Sequence, residues 1–276
     1  MKKKLIAIDL DGTTLDTRTS IHPLNIRVVD YLVSLGHYVV IATGRPWRST
    51  KEFYETLKLT TPVCNYNGSY IHHPTDKGFE VDAVSIPLNM ILDLENNLSD
   101  YLTNIMCELE DQVYLKHDEK TLEGFFWRDK ADVFIGDMKD VLKTNPTTII
   151  IETKSSDYNQ IVLDYVNKNY PDYICRFWSN SFVTFAEIFP KDINKGNAIL
   201  KVAKKLNISQ EDIIAIGDAP NDIELLKIAN IGIAMANASE DLKEVADQIT
   251  EKSCVDAGLA YHFVKIFDLD KSILND

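Results

Sequence analysis

This sequence has few of the features that are typical of membrane proteins, secreted proteins or proteins stabilised by a structural metal. No stretch approaches the roughly 20 apolar residues of a membrane span, and the apolar run Leu5–Ile8 is too short for an export signal. The four cysteines are far apart and form no Cys-x-x-Cys pair, so neither a zinc site nor a disulfide framework is indicated. We therefore expect a cytoplasmic protein without membrane attachment.

Basic residues are also in the minority. The 276 residues include 29 Lys and Arg against 42 Asp and Glu, a formal net charge of -13, whereas nucleic-acid binders usually present a basic face. No Gly-x-Gly occurs, which removes the dinucleotide-binding fingerprint. The apolar content of 45% is enough to fill one large domain or two unequal ones. We expect no nucleic-acid partner, and the sequence leaves the oligomeric state, monomer or dimer, open.

Strand-like and helix-like segments alternate at both ends of the chain. Near-continuous apolar runs between helical patterns are typical of a parallel sheet covered on both faces. This pattern predicts an α/β fold with a Rossmann-like, doubly wound parallel sheet. The predicted strands are 4–8, 37–42, 62–66, 212–216 and 231–235, and the predicted helices are 23–34, 46–57, 195–206, 222–229 and 239–246.

The middle of the chain has a different pattern, with more aromatic residues and more polar alternation. Residues 173–178 and 182–185 are predicted to form paired strands. We interpret this region as an α+β domain inserted into a discontinuous α/β domain. The predicted domains are residues 1–80 plus 187–276 and the insertion 81–186.

The segment Asp9-Leu10-Asp11-Gly12-Thr13 directly follows the first predicted strand. In an open parallel sheet, ligands lie at the carboxyl ends of the strands, so a reacting group is expected at Asp9. Side chains two apart in an extended chain point the same way, and two converging carboxylates repel each other unless a cation or a proton intervenes. Hard oxygen ligands favour Mg²⁺. The alternative is a surface turn, since Asp-Gly is a common turn pair.

Three further motifs favour a ligand site over a surface turn. Thr43 and Gly44 follow the second predicted strand, where a hydroxyl and exposed amides suit a phosphate oxygen. Lys195 opens a predicted helix, and the acidic segment Gly217–Asp222 follows another apolar strand. Each motif has an ordinary explanation as a loop, a solvated lysine or a helix cap. Four independent turns would rarely occur in this order, which favours one shared site.

In this order the motifs resemble those of the haloacid dehalogenase superfamily, and the chain looks like the Cof-type phosphatases with a large inserted cap. The resemblance also includes Asn67-Gly68 and the segment Gly232–Ala238. It implies a Mg²⁺-dependent phosphomonoester hydrolase for small phosphorylated metabolites, such as sugar phosphates, nucleotides or cofactor phosphates. The insertion would be a cap that selects the substrate. The alternatives are a phosphomutase with the same intermediate and a non-catalytic phosphate-binding regulator.

The resemblance also implies a role for each matching residue. Asp9 would be the nucleophile and a metal ligand. Asp11 would be the general acid and then the general base, with its main-chain carbonyl on the metal. Asp218 would complete the protein ligands of Mg²⁺. Asp222 would orient Lys195 or a water at the metal. The phosphoryl group would be held by the backbone of Leu10, by Thr43 with Gly44, by Lys195 and by Asn221.

Substrate contacts in the insertion are less clearly marked. Aromatic residues at such positions more often belong to a packed core than to a binding site. With that alternative open, the candidates are the aromatic residues Phe125, Phe126, Trp127 and Trp178 and the polar residues Arg45, His117 and Arg176.

Overall fold

The computed structural model describes residues 2–17, 19–118, 130–178 and 184–275, and the chain forms two units. The second unit is the longer uninterrupted stretch, Ala83–Ile193, together with the short segment Pro46–Ser49. The first unit is made of the remaining three segments, Met1–Arg45, Thr50–Asp82 and Asn194–Asp276.

The strands and helices of the described residues are numbered in chain order. The strands are β1 Leu5–Ile8, β2 Tyr38–Ile41, β3 Val63–Asn65, β4 Tyr70–His72, β5 Asp82–Ala83, β6 Leu102–Leu109, β7 Gln112–Leu115, β8 Asp132–Ile135, β9 Thr148–Thr153, β10 Tyr173–Phe177, β11 Phe185–Pro190, β12 Ile213–Gly217, β13 Ile231–Ala234 and β14 Gln248–Ile249. The helices are α1 Pro23–Ser34, α2 Trp47–Thr56, α3 Leu88–Asn97, α4 Met138–Val141, α5 Asn159–Asn169, α6 Lys195–Lys205, α7 Ile223–Ile228, α8 Glu240–Val245 and α9 Gly258–Ile266.

The first unit is built on a parallel sheet with the strand order β14-β13-β12-β1-β2. Strand β1 lies inside this sheet, and Leu5 is opposite Ile213 on β12 and Tyr38 on β2. Every residue of β1 is fully buried, as expected for a strand covered on both faces. The predicted α/β fold with a parallel sheet and an additional α+β region is confirmed.

Local sequence signals explain where the helices begin. Helix α1 starts at Pro23, where the missing N–H of proline costs nothing, and the His22 ring accepts a hydrogen bond from the N–H of Leu24 at 3.2 Å. Helix α6 starts at Lys195, and the side chain of Asn194 before it accepts a hydrogen bond from a main-chain N–H of the first turn. The predicted helix 23–34 matches residue for residue, and the other elements predicted in this unit differ by one residue at one end or at both ends. Helix α9 is not among the predicted elements.

The second unit has its own sheet, with the order β10-β11-β9-β6-β7-β8. The pairs are antiparallel except for β7 with β8, which are parallel. Helices α3 and α5 pack on one face of this sheet through a buried apolar cluster that includes Met90, Leu94, Val162, Ile105 and Ile151. The result is a layer of helices on a mostly antiparallel sheet, which is the α+β arrangement expected for the insertion.

The predicted boundary between insertion and core, after residue 186, falls inside strand β11. This strand pairs with β9 and β10, so it belongs to the second sheet, and the first unit resumes at Asn194. Of the predicted strand 182–185, residues 182 and 183 lie outside the described residues. No helix in the part of the chain that the structure describes has the length and apolar character needed to cross a bilayer.

Candidate active site

The predicted site residues follow strands that end at the same edge of the first sheet. Asp9 follows β1, Thr43 lies two residues after β2, and Asp218 follows β12. Because these neighbouring strands are parallel, their carboxyl ends lie side by side. The ladder continues to the site itself, since the N–H of Asp9 donates to the carbonyl of Ile216 at 3.1 Å.

Lys195 lies between two carboxylates in the interior of this unit. Its Nζ donates to Asp9 Oδ1 at 2.6 Å and to Asp222 Oδ1 at 2.6 Å. The relative exposures are 1% for Lys195, 4% for Asp9 and 0% for Asp222. Buried charges are tolerated only when they are paired and hydrogen-bonded, so these three groups depend on one another.

The pKa values in this cluster are shifted by burial and by the neighbouring charges. Burial raises the pKa of Asp9 well above its usual value, against the opposing effect of Lys195. Burial alone would lower the pKa of Lys195, but the carboxylates of Asp222 and Asp9 raise it. Burial and the negative charge of Asp222 raise the pKa of Asp218 to about 7. Burial and mutual repulsion therefore oppose full ionisation of these carboxyl groups around a single ammonium.

This donor set fits a divalent cation. Asp9, Asp218 and Asp222 each offer a carboxylate oxygen, and the three oxygens lie within 4.8 Å of one another. Three carboxylates around one ammonium leave two negative charges over when all are ionised, which matches a hard dication such as Mg²⁺.

Asp222 is the least available of these three carboxylates. Its Oδ1 accepts from Lys195, and its Oδ2 accepts from the N–H groups of Asp218 at 3.1 Å and Ala219 at 3.2 Å. By contrast, the second oxygen of Asp9 accepts no hydrogen bond from the described residues. We infer that Asp222 supports the cluster, while Asp9 and Asp218 keep oxygens for a ligand.

The carboxylate of Asp11 does not join this cluster, although the sequence led us to expect that it would converge with Asp9. The strand ends at Ile8 and a tight turn begins at Leu10, so the alternation of an extended chain does not reach Asp11. Instead, Arg45 donates from Nε to Asp11 Oδ2 at 2.7 Å and from Nη2 to Oδ1 at 2.5 Å. Arg45 is buried and its guanidinium lies over the ring of Phe53, with 5.2 Å to the ring centroid.

This ion pair was not predicted, since Arg45 was considered only as a contact to substrate. The signal was present in the sequence, because Arg45 follows Thr43-Gly44 directly and so had to lie near the same sheet edge.

The turn between β1 and α1 brings Gly12 against Asp218. Gly12 has a φ of 73°, and a Cβ atom there would lie 2.2 Å from Asp218 Oδ2. The adjacent Thr13 hydroxyl donates to Asp218 Oδ1 at 3.4 Å. Thr14 in turn donates to the Asp9 carbonyl at 2.5 Å, which closes the turn. Glycine is therefore required at this position both by the backbone and by the space beside Asp218.

The predicted phosphate-holding residues also lie at this edge. Thr43 is buried, and its hydroxyl accepts from the N–H of Arg45 at 3.1 Å, while Gly44 is exposed. Leu10 is buried directly after Asp9. Asn221 donates from Nδ2 to Asn67 Oδ1 at 2.9 Å.

The candidate substrate contacts of the second unit have structural partners there. Trp178 packs against Phe185 with a centroid distance of 5.7 Å, and the Arg176 guanidinium lies over the ring of Phe189 with 5.0 Å to its centroid. His117 lines a cavity of about 180 Å³ within this unit, together with Lys116 and others. Phe125, Phe126 and Trp127 lie outside the described residues.

A family model for haloacid dehalogenase-like hydrolases matches residues 6–263. The chain belongs to the haloacid dehalogenase-like hydrolases. Two relatives in this family, YitU and YcsE of Bacillus subtilis, are both named 5-amino-6-(5-phospho-D-ribitylamino)uracil phosphatase. YitU is 33% identical over 271 residues, with 97% of this chain and 99% of YitU covered. YcsE is 32% identical over 257 residues, with 92% of each chain covered.

The solved structure of a haloacid dehalogenase-like hydrolase from Bacteroides thetaiotaomicron shares the fold. It has a TM-score of 0.82 and 23% identity, and the match covers 96% of this chain and 100% of that one. The predicted family and the predicted enzyme class, a phosphatase, are confirmed by these matches.

Proposed function

We propose that this haloacid dehalogenase-like phosphatase hydrolyses the phosphomonoesters of small metabolites through a phospho-aspartate on Asp9, and that it does so in the cytoplasm. The observation that carries the proposal is the buried cluster in which Lys195 binds one oxygen of Asp9 and none of the described residues donates to the other. A carboxylate held in this way is oriented for attack and is protected from bulk water.

In the first step, a carboxylate oxygen of Asp9 attacks phosphorus, and the bond between phosphorus and the ester oxygen breaks. Asp11 gives its proton to the departing oxygen, so the alcohol leaves neutral. In the second step, water attacks the phosphorus of the acyl phosphate, Asp11 takes a proton from that water, and the bond between Asp9 and phosphorus breaks. Both carboxyl groups return to their starting states and inorganic phosphate leaves.

The remaining residues orient and neutralise the phosphoryl group. Lys195 offsets negative charge beside the reacting oxygen, and the Thr43 hydroxyl with the Gly44 and Leu10 amides can donate to phosphate oxygens. The side-chain amide of Asn221 would donate to another of these oxygens. Such fixed donors stabilise charge without reorganisation at the moment of reaction.

Asp9, Asp218 and the main-chain carbonyl of Asp11 would hold Mg²⁺, with Asp222 in a supporting role. Bound Mg²⁺ would supply positive charge that offsets the repulsion between the Asp9 carboxylate and the phosphate dianion. The charge imbalance of the carboxylate cluster supports this assignment.

For the substrate, we propose a phosphorylated polyol or sugar, and first of all 5-amino-6-(5-phospho-D-ribitylamino)uracil. Two relatives that match over nearly the whole chain carry this compound in their names. We further propose that the first unit, which resumes at Asn194, forms the catalytic core. The insertion, predicted as 81–186 and continuing to Ile193 in the structure, would form the cap that selects this substrate.

The test is phosphate release from an aryl phosphate and from a panel of phosphorylated metabolites, with Mg²⁺ and with chelator. Wild type and Asp9→Asn are compared side by side. We expect metal-dependent release by the wild type and none by the variant. Turnover retained in a natively folded Asp9→Asn protein would overturn the nucleophile assignment. Transfer of phosphate to a sugar instead of water would indicate a mutase, and phosphate binding without turnover on the whole panel would indicate a regulator.

A further inference from the structure

The turn that follows β3 contacts two loops and one helix start that carry the proposed phosphate-holding groups. The N–H of Asn67 donates to the carbonyl of Thr43 at 2.9 Å. The side-chain oxygen of Asn67 accepts a hydrogen bond from Asn221 Nδ2 at 2.9 Å. Gly68 lies so close to the start of α6 that a Cβ atom there would be 2.9 Å from the carbonyl oxygen of Asn194. This turn therefore joins the loops after β2 and β12 to the helix that begins at Lys195.

The backbone of this turn is held in an unfavourable conformation. Tyr66, Asn67 and Gly68 have successive φ values of 49°, 54° and 103°. Left-handed backbone is disfavoured for residues with a Cβ atom, and it persists where the surrounding structure enforces it, often at functional sites. Asparagine tolerates this conformation better than most residues, so it can occupy the position while it presents an amide to its neighbours.

The side chain of Asn67 lies between two residues to which the proposed function gives a role at the phosphate. A Cβ atom on Gly44 would be 3.3 Å from Asn67 Oδ1, and the same oxygen accepts from Asn221. Gly44 is exposed and Asn221 is half-buried, so solvent reaches this side of the site.

We propose that Asn67 is a positioning residue that fixes the amide of Asn221 for phosphate binding, an inference that rests on the proposed function. A primary amide has two N–H donors on one side and an acceptor oxygen on the other. The oxygen of Asn67 takes one N–H of Asn221. This contact leaves the second N–H for a phosphate oxygen and keeps the Asn221 carbonyl turned away from the anion. Without Asn67, the Asn221 amide can rotate and present its oxygen, which repels phosphate.

The variant that tests this role is Asn67→Gly, because glycine accepts the left-handed backbone while the side-chain amide is lost. Asn207 offers a matched control: it has a φ of 55°, is exposed, and lies just after α6 outside the site. Three quantities are measured for wild type, Asn67→Gly and Asn207→Gly: kcat and KM for an aryl phosphate, and the inhibition constant of inorganic phosphate.

For Asn67→Gly we expect KM and the phosphate inhibition constant to rise about 5- to 10-fold, the effect of one lost hydrogen bond in a polar site. We expect kcat to change less than about 3-fold on the same basis. Asn207→Gly is expected to match wild type. The double variant Asn67→Gly with Asn221→Ala should be no worse in KM than Asn221→Ala alone, because both changes disable the same donor.

Wild-type KM and phosphate inhibition in Asn67→Gly would overturn the positioning role. The role would also be overturned if the increase in KM of the double variant equalled the product of the two single increases, because Asn67 would then act independently of Asn221. These outcomes differ from a failure of the proposed function, in which the wild-type protein itself would release no phosphate from any substrate.

Discussion

Replacement of Gly12 by alanine should remove most of the activity, and more of it than the loss of stability alone would explain. Gly12 has a φ of 73°, and a Cβ atom at this position would lie 2.2 Å from Asp218 Oδ2 and 2.7 Å from its Cγ. The contact cannot be relieved by a flexible side-chain end, because Asp218 lies in the carboxylate cluster. To restore an ordinary contact, the carboxylate of Asp218 has to move by about 1 Å, and displacements of that size near a reacting centre cost on the order of 100-fold in rate.

Gly36 provides a control that separates the effect of backbone strain from the effect of moving the Asp218 carboxylate. It has a φ of 86°, and a Cβ atom at this position would have Lys3 Cε as its nearest neighbour at 3.8 Å, an ordinary contact. Alanine at either position has to adopt left-handed backbone, which lowers the free energy of unfolding by about 1–2 kcal/mol. Only Gly12→Ala also displaces a proposed metal ligand. The two variants should therefore lose similar stability and very different amounts of activity.

The assay pairs the urea unfolding midpoint with kcat/KM for phosphate release at saturating Mg²⁺. We expect Gly36→Ala to keep near wild-type kcat/KM and Gly12→Ala to lose about 100-fold. Full activity in Gly12→Ala would refute the reasoning, because it would mean that the position of Asp218 does not matter for the reaction. Equal losses in both variants would refute it as well, since strain alone would then explain them.

Three further predictions concern charge, capping and pH. Arg48→Met removes the guanidinium that is ion-paired with the buried Glu108 carboxylate, so urea unfolding should show a loss of about 3–5 kcal/mol, partly recovered by adding Glu108→Gln. Asn194→Ala removes the side-chain cap of α6 and should cost about 1 kcal/mol in the same measurement, with reduced phosphate release because Lys195 is the first residue of that helix. Burial lowers the pKa of His72 from 6.5 to about 4, so the unfolded chain takes up the proton first and stability should fall as pH drops from about 6.5 to 4; a His72→Gln variant should show a smaller fall over this range, and equal slopes would contradict the assignment.

The sequence predicted those parts of the fold that depend on local patterns. Near-continuous apolar runs predicted the buried strands, and proline before an amphipathic run predicted the start of α1 at Pro23. The site edge was also predictable, because acidic and hydroxyl residues directly after parallel strands must lie together. Helix α9 was not predicted, and the end of the insertion was predicted after residue 186, which lies inside β11. The end was missed because strand β11 continues through the predicted boundary without a turn signal.

The partners of individual charges could not be predicted in the same way. A lone lysine at a helix start is usually solvated, yet Lys195 is 1% exposed. Its partners Asp9 and Asp222 are 186 and 27 residues away along the chain, so no local pattern indicates them. The same holds for Asn67 and Asn221, which are 154 residues apart. Only the fold brings such pairs together, and it does so here at one sheet edge.

The different surroundings of Asp9 and Asp11 explain how two neighbouring carboxylates can take different roles. Asp9 is buried and shares one oxygen with Lys195, an arrangement suited to a nucleophile that must stay fixed and unhydrated. The Asp11 side chain is 43% exposed, and its carboxylate accepts hydrogen bonds from Nε and Nη2 of Arg45. A group that gives and takes protons needs access to water and to the leaving oxygen. In the proposed mechanism, the Asp11 carboxyl group therefore has to separate from the Arg45 guanidinium before it transfers a proton. The two environments fit the two proposed roles, as in other enzymes that use a pair of carboxylates. In this chain the difference arises from two cations, Arg45 in the loop after β2 and Lys195 at the start of α6.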